Sequence, residues 1–370
     1  MRERGRLAGN QSRGDAGVAK KVIAALDATP LTLSSGGLCR YVTELALALA
    51  REFPEDRYAL LSDQKFTVPT GAPPNLTAGP VVTEERRWWL RGVRKAIAAT
   101  GAQVFHGTNF EVPYLGSTPS VLTIHDLSPW RDPAWHGSGA DRVRQRTPWL
   151  IRLGRADWIL TVSEAVRREI ITHFGAREDR VRAISLAASE CFHPVLAQKT
   201  HQRPYFLFVG TLEPRKNLAG LVEAWRNTRE ETGADLWIAG RTRSDFSPIP
   251  DIPGILMLGE VPDSDLPGLF AGALGFVYPT FYEGFGLPVL EAMQCGCPVI
   301  TSRDPAVMEV SGGAAIHVTT AAELAESMRA LARDSALRAS MSAAGMKRAT
   351  QFSWNRTARE TRALYAEAAR

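Results

Sequence analysis

Short apolar runs recur along the chain at the length of buried strands, and amphipathic or Ala-rich stretches separate them. In the first half these runs fall at 21–27, 57–62, 103–106, 120–125 and 158–162. In the second half they fall at 204–210, 236–241, 255–261, 273–278 and 315–318. Strands alternating with helices predict an α/β fold of doubly wound parallel sheets. The periodicity fades from 185 to 204, where Pro194 and Pro204 bound a polar stretch. This predicts two Rossmann-like domains, 21–195 and 204–352, joined by a linker at 196–203. Trp354, Leu364 and Tyr365 are spaced for one face, which predicts a terminal helix within 353–370. Residues 1–20 are polar and Arg/Gly-rich without an apolar core, and the expectation is a disordered leader rather than a signal peptide.

Candidate chemistry concentrates at 278–301. The apolar run before it breaks at Pro279, loops through Glu283-Gly284-Phe285-Gly286 and restarts as a helix with Pro288 in its first turn. Glu283 is expected on the loop and Glu291 inside the helix, both facing one space. The free N–H groups of the first helical turn lie between them, an anion site flanked by two acceptors for hydroxyl groups. A phosphate with sugars on either side describes a nucleotide-sugar. The same residues also suit an ordinary strand–turn–helix, since glutamates near a helix start favour its dipole without any ligand.

Other stretches present similar chemistry at strand ends. Gly36-Gly37 follow the first strand and precede a helix at about 38–51, a phosphate-facing arrangement. His125-Asp126 end the apolar run 121–124, where open α/β sheets place ligands; taken alone, His125 is better read as a partner for a neighbouring carbonyl. His106, in F-H-G-T-N-F, is a weaker cleft candidate. Arg215 and Lys216, in T-L-E-P-R-K-N, can hold a diphosphate, the first as a fork and the second as a point charge. Ser163-Glu164 read as the cap of a helix reaching about 174. Asp263-Ser264-Asp265 fits an Asp-x-Asp metal pattern, but it follows Pro262 and precedes a short helix, so an N-cap explains it without metal.

The segment 283–291, two glutamates seven residues apart around Gly-Phe-Gly-Leu-Pro, resembles the signature of retaining glycosyltransferases of the group 1 type (family four). V-G-T-L-E-P-R-K-N and T-I-H-D-L-S resemble further motifs of that family, and the resemblance covers essentially everything after residue 20. It implies the GT-B architecture: two doubly wound domains facing a deep cleft, with the last helix crossing back onto the first domain. It also implies that Gly36 and Gly37 lie under the donor diphosphate and that His125 contacts the donor sugar. Gly210, Thr211, Arg215 and Lys216 would form the phosphate loop, and the backbone of Gly259, Glu260 and Val261 the nucleobase edge. Glu283 would hold sugar hydroxyls, Gly284, Phe285, Gly286 and Leu287 would line the donor, and Glu291 would hold the ribose. Glu309 resembles a family residue near the cleft, although a capping or salt-bridge role suits it as well. Thr211 stands where many members carry arginine, so one charge is absent.

The activity implied is transfer of a sugar from a nucleotide diphosphate to a hydroxyl with retention of configuration, His125, Glu283, Arg215 and Lys216 being the catalytic set. No carboxylate is placed as a covalent nucleophile, so front-face substitution is expected, with no metal and no cofactor. The motifs look most like mannosyltransferases of bacterial surface polysaccharide, which makes GDP-mannose the first choice. UDP-glucose, UDP-N-acetylglucosamine and GDP- or dTDP-deoxysugars stay open, as do a nucleotide-sugar epimerase and a catalytically silent binding protein.

Composition changes this picture little. The 370 residues are 45% apolar and 22% charged, enough for two cores. The net charge is +5, from 27 Lys+Arg against 20 Asp+Glu in residues 1–200 and 17 against 19 in residues 201–370. That excess is too dispersed for a nucleic-acid binder, and no binding motif accompanies it. Two basic, Trp-containing segments, 85–95 and 142–155, suit peripheral contact with an anionic membrane, or equally helix faces whose tryptophans turn to the core. Cys39, Cys191, Cys295 and Cys297 show no disulfide or zinc spacing, which fits a reducing cytosol. No apolar run approaches the ~20 residues that span a bilayer. The expected partners are a nucleotide-sugar donor and a glycan or lipid-linked acceptor, and the expected location is the cytoplasm or the inner face of the plasma membrane.

Overall fold

The computed structural model describes residues 21–33, 36–80, 87–132, 135, 140–196, 203–243, 246 and 249–370. The expected leader at 1–20, Glu85 and Arg86 of the first basic segment, and 197–202 of the expected linker lie outside these residues.

Two parallel sheets organise the chain. The first has seven strands: β1 (Ile23–Asp27), β2 (Arg57–Leu61), β3 (Leu76–Ala78), β4 (Val104–Gly107), β5 (Ser120–Ile124), β6 (Trp158–Thr161) and β7 (Val181–Ala183). Their spatial order is β3-β2-β1-β4-β5-β6-β7, and every pairing is parallel. The second sheet has six: β8 (Tyr205–Val209), β9 (Asp235–Ala239), β10 (Ile255–Gly259), β11 (Gly275–Tyr278), β12 (Val299–Ser302) and β13 (Ile316–Val318). Their order is β10-β9-β8-β11-β12-β13, again all parallel. Strands β4, β5, β6, β8 and β11 are buried along their whole length because helices cover both faces, which is why they read as continuous apolar runs.

Each sheet starts in its interior, winds outward to one edge and returns beside its first strand. The order reverses between β1 and β4 in the first sheet and between β8 and β11 in the second. A crevice opens at the carboxyl ends of strands where the order reverses. The loops after β1 and β5 of one domain therefore meet those after β8 and β11 of the other.

The last helix, Trp354–Ala368, packs on the first domain against helix Gly37–Glu52. Tyr365 is buried there and bonds His106 Nδ1 at 2.6 Å, while Arg362 pairs with the buried Asp56 at 2.9 Å. One apolar cluster runs through helix Gly37–Glu52, β8, β11 and this last helix, so the two domains share core as well as cleft.

Candidate functional site

The cleft between the facing sheet ends holds a cavity of about 390 Å³. Gly36, Gly37, Arg40, His125 and Asp126 line it from the first domain; Gly210, Thr211, Arg215, Lys216, Arg241, Glu283 and Glu291 line it from the second.

The wall of the second domain is built by two loops that grip each other. After β8 the chain makes a single 3-10 turn, Pro214–Lys216, and Asn217, at φ 55, caps the following helix through its side chain. After β11, Phe281 N and Thr280 Oγ1 both donate to the carbonyl of Arg215, at 2.8 and 3.1 Å. This brings Glu283 against two cations. Lys216 Nζ donates to Glu283 Oε1 at 2.5 Å and to Tyr278 Oη at 2.6 Å, Arg215 Nη1 lies 3.2 Å from Glu283 Oε2, and Thr280 Oγ1 donates to Oε1 at 2.8 Å. Glu213 closes the cluster through Arg215 Nε at 2.6 Å and Arg243 Nη1 at 3.3 Å.

These contacts set the protonation states. Burial alone would raise the Glu283 carboxyl, but Lys216, Arg215 and Thr280 overcome it and hold the group at about 2. Lys216 moves down, through burial first and then Arg215 beside it, against the pull of Glu283. Arg215 moves up: Glu283, Asp126 and Glu213 outweigh its burial. Glu283 is therefore an ionised, doubly paired acceptor at any working pH.

Glu291 sits on helix Leu287–Gln294 and is 1% exposed. Its carboxyl is pushed up to about 7 by burial, held back by Arg40 and raised further by Asp263. Arg40, from helix Gly37–Glu52 of the first domain, pairs with Glu291 Oε1 and, at 2.5 Å, with Asp263 Oδ1. Asp263 thus serves an interdomain ion pair. Asp265 occupies the N-cap position of helix Leu266–Gly272 but makes no side-chain capping bond, so the expected capping function of this acidic triplet is not what its side chains perform.

The structure places the remaining sequence candidates unequally. His125 lines the cleft, and its Nε2 bonds the Thr108 carbonyl at 2.8 Å, the partner that its position also allowed. A carbonyl only accepts, so Nε2 carries the proton; burial moves the ring below its ordinary pKa and keeps it neutral. His106 is fully buried between Tyr365 and Thr123, away from the cleft, and burial lowers it to about 3. Glu260 and Val261 reach the cavity, whereas the Gly259 carbonyl accepts from Gly240 N at 2.7 Å, within the edge of the sheet. Gly286 caps helix Leu287–Gln294 at φ 99, with Phe285 and Leu287 beside it on the cavity wall; Pro288 at the second helical position has no N–H, so this turn offers one donor fewer than an ordinary helix start.

Gly284 is a point of contact between the domains. A Cβ there would lie 1.9 Å from the His125 carbonyl oxygen, and Ser163 Oγ donates to the Gly284 carbonyl at 2.7 Å. Ser163 also caps helix Glu164–Phe174, and Glu309 reaches across from the second domain to accept from the same helix, from Glu164 N at 2.9 Å and Ala165 N at 3.1 Å. Tyr282 accepts from Leu127 N and donates to Glu169, at 2.8 and 2.7 Å.

Sequence reasoning did not single out Arg40, Glu213, Tyr278, Thr280 or Arg241. Arg40 had a signal: a cation in the first turn opposes the helix dipole unless something else holds it. Arg241 follows β9, and its carbonyl accepts from Leu212 N at 2.9 Å, which sets it beside Thr211. Gly240 permits this approach, since a Cβ there would lie 1.9 Å from the Gly210 carbonyl oxygen. Glu213, Tyr278 and Thr280 matter only through their contacts with Lys216, Arg215 and Glu283, which no local pattern announces.

Comparison with known proteins agrees with this geometry. Residues 197–348 match the family model of group 1 glycosyl transferases, and residues 35–187 match that of glycosyltransferase family 4. The chain is 35% identical over 291 residues to an O-antigen chain mannosyltransferase B of Escherichia coli, covering 70% of this chain and 72% of the relative. It is 27% identical over 245 residues to the O-antigen chain mannosyltransferase RfbU of Salmonella typhimurium, covering 65% and 67%. Among solved structures, a sucrose-phosphate synthase from Thermosynechococcus elongatus superposes with a TM-score of 0.71 at 19% identity, over 94% of this chain and 99% of that one. Two facing parallel-sheet domains, the family matches along both of them and the similarity to the first relative together show that this chain belongs to the group 1, family 4 glycosyltransferases of GT-B fold.

Proposed function

We propose that the protein transfers mannose from GDP-mannose to a hydroxyl of a glycan or lipid-linked acceptor, with retention of configuration, in the synthesis of a cell-surface polysaccharide. The observation that carries the reading is the cluster of Arg215, Lys216 and Glu283 on the cleft wall, where the strand orders reverse. Departure of a nucleoside diphosphate develops negative charge, and Arg215 and Lys216, with Arg241 close by, supply fixed positive charge for it. Glu283, held ionised by those same cations, accepts hydrogen bonds from the sugar hydroxyls and so links leaving group to sugar. Its two oxygens are engaged by Lys216, Thr280 and Arg215, which makes it a poor covalent nucleophile and favours front-face substitution, the departing phosphate oxygen taking the acceptor's proton. In this reading no metal is needed, because the diphosphate charge is met by side chains. Mannose as the sugar is supported by the two O-antigen mannosyltransferase relatives.

The acceptor end favours a membrane surface. Arg142, Arg146, Trp149 and Leu153 fall on one stripe of helix Asp141–Arg152 and its cap; Trp149 is 61% exposed and Leu153 60%. Among the described part of 85–95, by contrast, Trp88 is buried and Trp89 packs on Phe105, so that segment offers basic side chains without an exposed tryptophan stripe. We propose that the first stripe rests on anionic lipid at the cytoplasmic face, close to a lipid-linked acceptor. No helix among the described residues is long and apolar enough to cross a membrane.

Calorimetric titration with GDP, UDP, ADP and dTDP, each with and without magnesium, tests the donor site. Selective GDP binding that ignores magnesium supports the reading. Preference for UDP or dTDP keeps the fold and mechanism and discards mannose; strict magnesium dependence returns attention to Asp263 and Asp265. Release of an isomer or of free sugar without acceptor would favour an epimerase, and no nucleotide binding would favour a silent binding protein.

A further inference from the structure

Arg40 lies where two cavities meet. The donor cleft and a larger neighbouring space of about 1080 Å³ share Gly36, Arg40, Glu260, Val261 and Asp263 in their walls. The guanidinium spans the gap between the domains: Nη1 on Glu291 Oε1, Nη2 on Asp263 Oδ1, and the Phe192 ring 5.3 Å from its central carbon. It engages only one oxygen of Glu291, and among the described residues Oε2 has no partner. A carboxylate carries lone pairs for about four hydrogen bonds, so the free oxygen remains open to a hydroxyl.

We propose that Arg40 is a donor-positioning residue: from the first domain it pairs with one oxygen of Glu291 of the second domain and leaves the other for the nucleoside, so that the complete ribose site exists only when the domains are closed. The inference rests on the reading of Glu291 as the acceptor of the ribose hydroxyls.

Three consequences follow from the charges in place. Glu291 is buried and would lose its charge without a cation, and Arg40 is the cation in contact with it. The other titratable groups in this neighbourhood are Asp263 across the cleft, Glu44 on the helix of Arg40, Cys191, and Cys295 on the helix of Glu291. The two thiols are pushed upward by burial, that of Cys295 to about 12, so they stay neutral while Glu291 titrates. Opening the cleft withdraws Arg40 from Glu291, so the carboxylate is no longer fixed with one oxygen turned to the nucleoside. Opening therefore favours nucleotide release in one step with loss of the ion pair.

The test is the pH dependence of nucleotide affinity, by calorimetry between pH 5.5 and about 9.5, with GDP or UDP, whichever the wild-type protein binds more tightly. Wild-type affinity is full well above pH 7 and is lost as the pH falls through about 7, where Glu291 takes up its proton. Arg40→Gln removes the cation and raises that midpoint by at least about one unit, as expected for loss of a charge in hydrogen-bond contact, so affinity lost at pH 7 returns at high pH. Arg40→Lys keeps the charge and holds the midpoint near that of wild type. Asp263→Asn removes a neighbouring negative charge and lowers the midpoint. The terminal phosphate of the nucleotide titrates identically for all four proteins, so only differences between them are read. Equal midpoints for wild type and Arg40→Gln overturn the inference while leaving the donor site intact. Weakened binding of Arg40→Gln at every pH, with an unmoved midpoint, also overturns it and assigns Arg40 to packing. If wild type binds neither nucleotide, the donor reading itself fails and this inference fails with it.

Discussion

At the scale of single residues, Glu283 carries the most consequence. The sequence showed an acid on a glycine loop; the structure adds that this acid neutralises two buried cations. Glu283→Ala is therefore expected to do two things at once. Turnover falls well over tenfold, because the sugar-facing acceptor is gone. Unfolding free energy also falls, by about 3–5 kcal/mol, the usual cost of leaving a buried charge without its partner. Initial rates well below the melting temperature, together with urea titration, separate the two effects; unchanged turnover would remove Glu283 from the chemistry. The contacts to Lys216 and Arg215 are the reason that stability falls together with turnover. The Glu283 pairs also bind stability to pH. Its folded pKa lies below its unfolded value, so their contribution is present above about 4.5 and is lost as the pH falls toward about 2.

At the scale of elements, most strands that the apolar pattern predicted are buried on both faces, such as β5 and β8, whereas the edge strands β10 and β13 are apolar yet partly exposed. The three that it missed are short. β3 and β7 are three-residue edge strands with only one buried residue each, and β12 shows just Val299, Ile300 and Thr301 before the pattern breaks. Helix Asp141–Arg152 illustrates the opposite limit. Its composition suggested two outcomes for the tryptophan, core or surface, and only the packed structure decides: Leu150 turns inward while Trp149 and Leu153 stay out. That helix makes its own prediction. Wild-type protein should co-sediment with vesicles containing phosphatidylglycerol and not with neutral phosphatidylcholine vesicles, and the double variant Trp149→Ala with Leu153→Ala should lose at least about 1.5 kcal/mol of that binding, the low end for burying a single apolar side chain. Equal partitioning of the variant would assign the stripe to solvent.

At the scale of the whole molecule, the cleft is closed by polar contacts that the two domains exchange. Ser163 reaches Gly284, Glu309 caps helix Glu164–Phe174, Tyr282 ties Leu127 to Glu169, and Arg40 ties Glu291 to Asp263. Glu309 does not line the cleft cavity, yet it satisfies two orphan N–H groups of a helix in the other domain. Glu309→Ala should cost about 0.5–2 kcal/mol of stability, the range for a lost helix cap. It should also enlarge the radius of gyration measured by X-ray scattering without nucleotide. An unchanged radius would mean that the remaining contacts suffice to hold closure.

The sequence by itself determined the two-domain α/β architecture, because strands buried on both faces leave an unmistakable apolar run, and it located the candidate loops, because glycine and proline mark where such strands end. It also named about half of the cleft lining, since His125, Arg215, Lys216, Glu283 and Glu291 lie within short, locally distinctive strings. The tertiary structure alone decided which groups touch. It removed His106 from the cleft by burying it under the last helix, gave Asp263 to Arg40, turned Gly284 into the point where one domain rests on the other, and set Arg241 beside Thr211. The physical reason is that burial and charge pairing act between residues tens to hundreds of positions apart, at distances fixed by how the sheets stack. No window of sequence contains both partners.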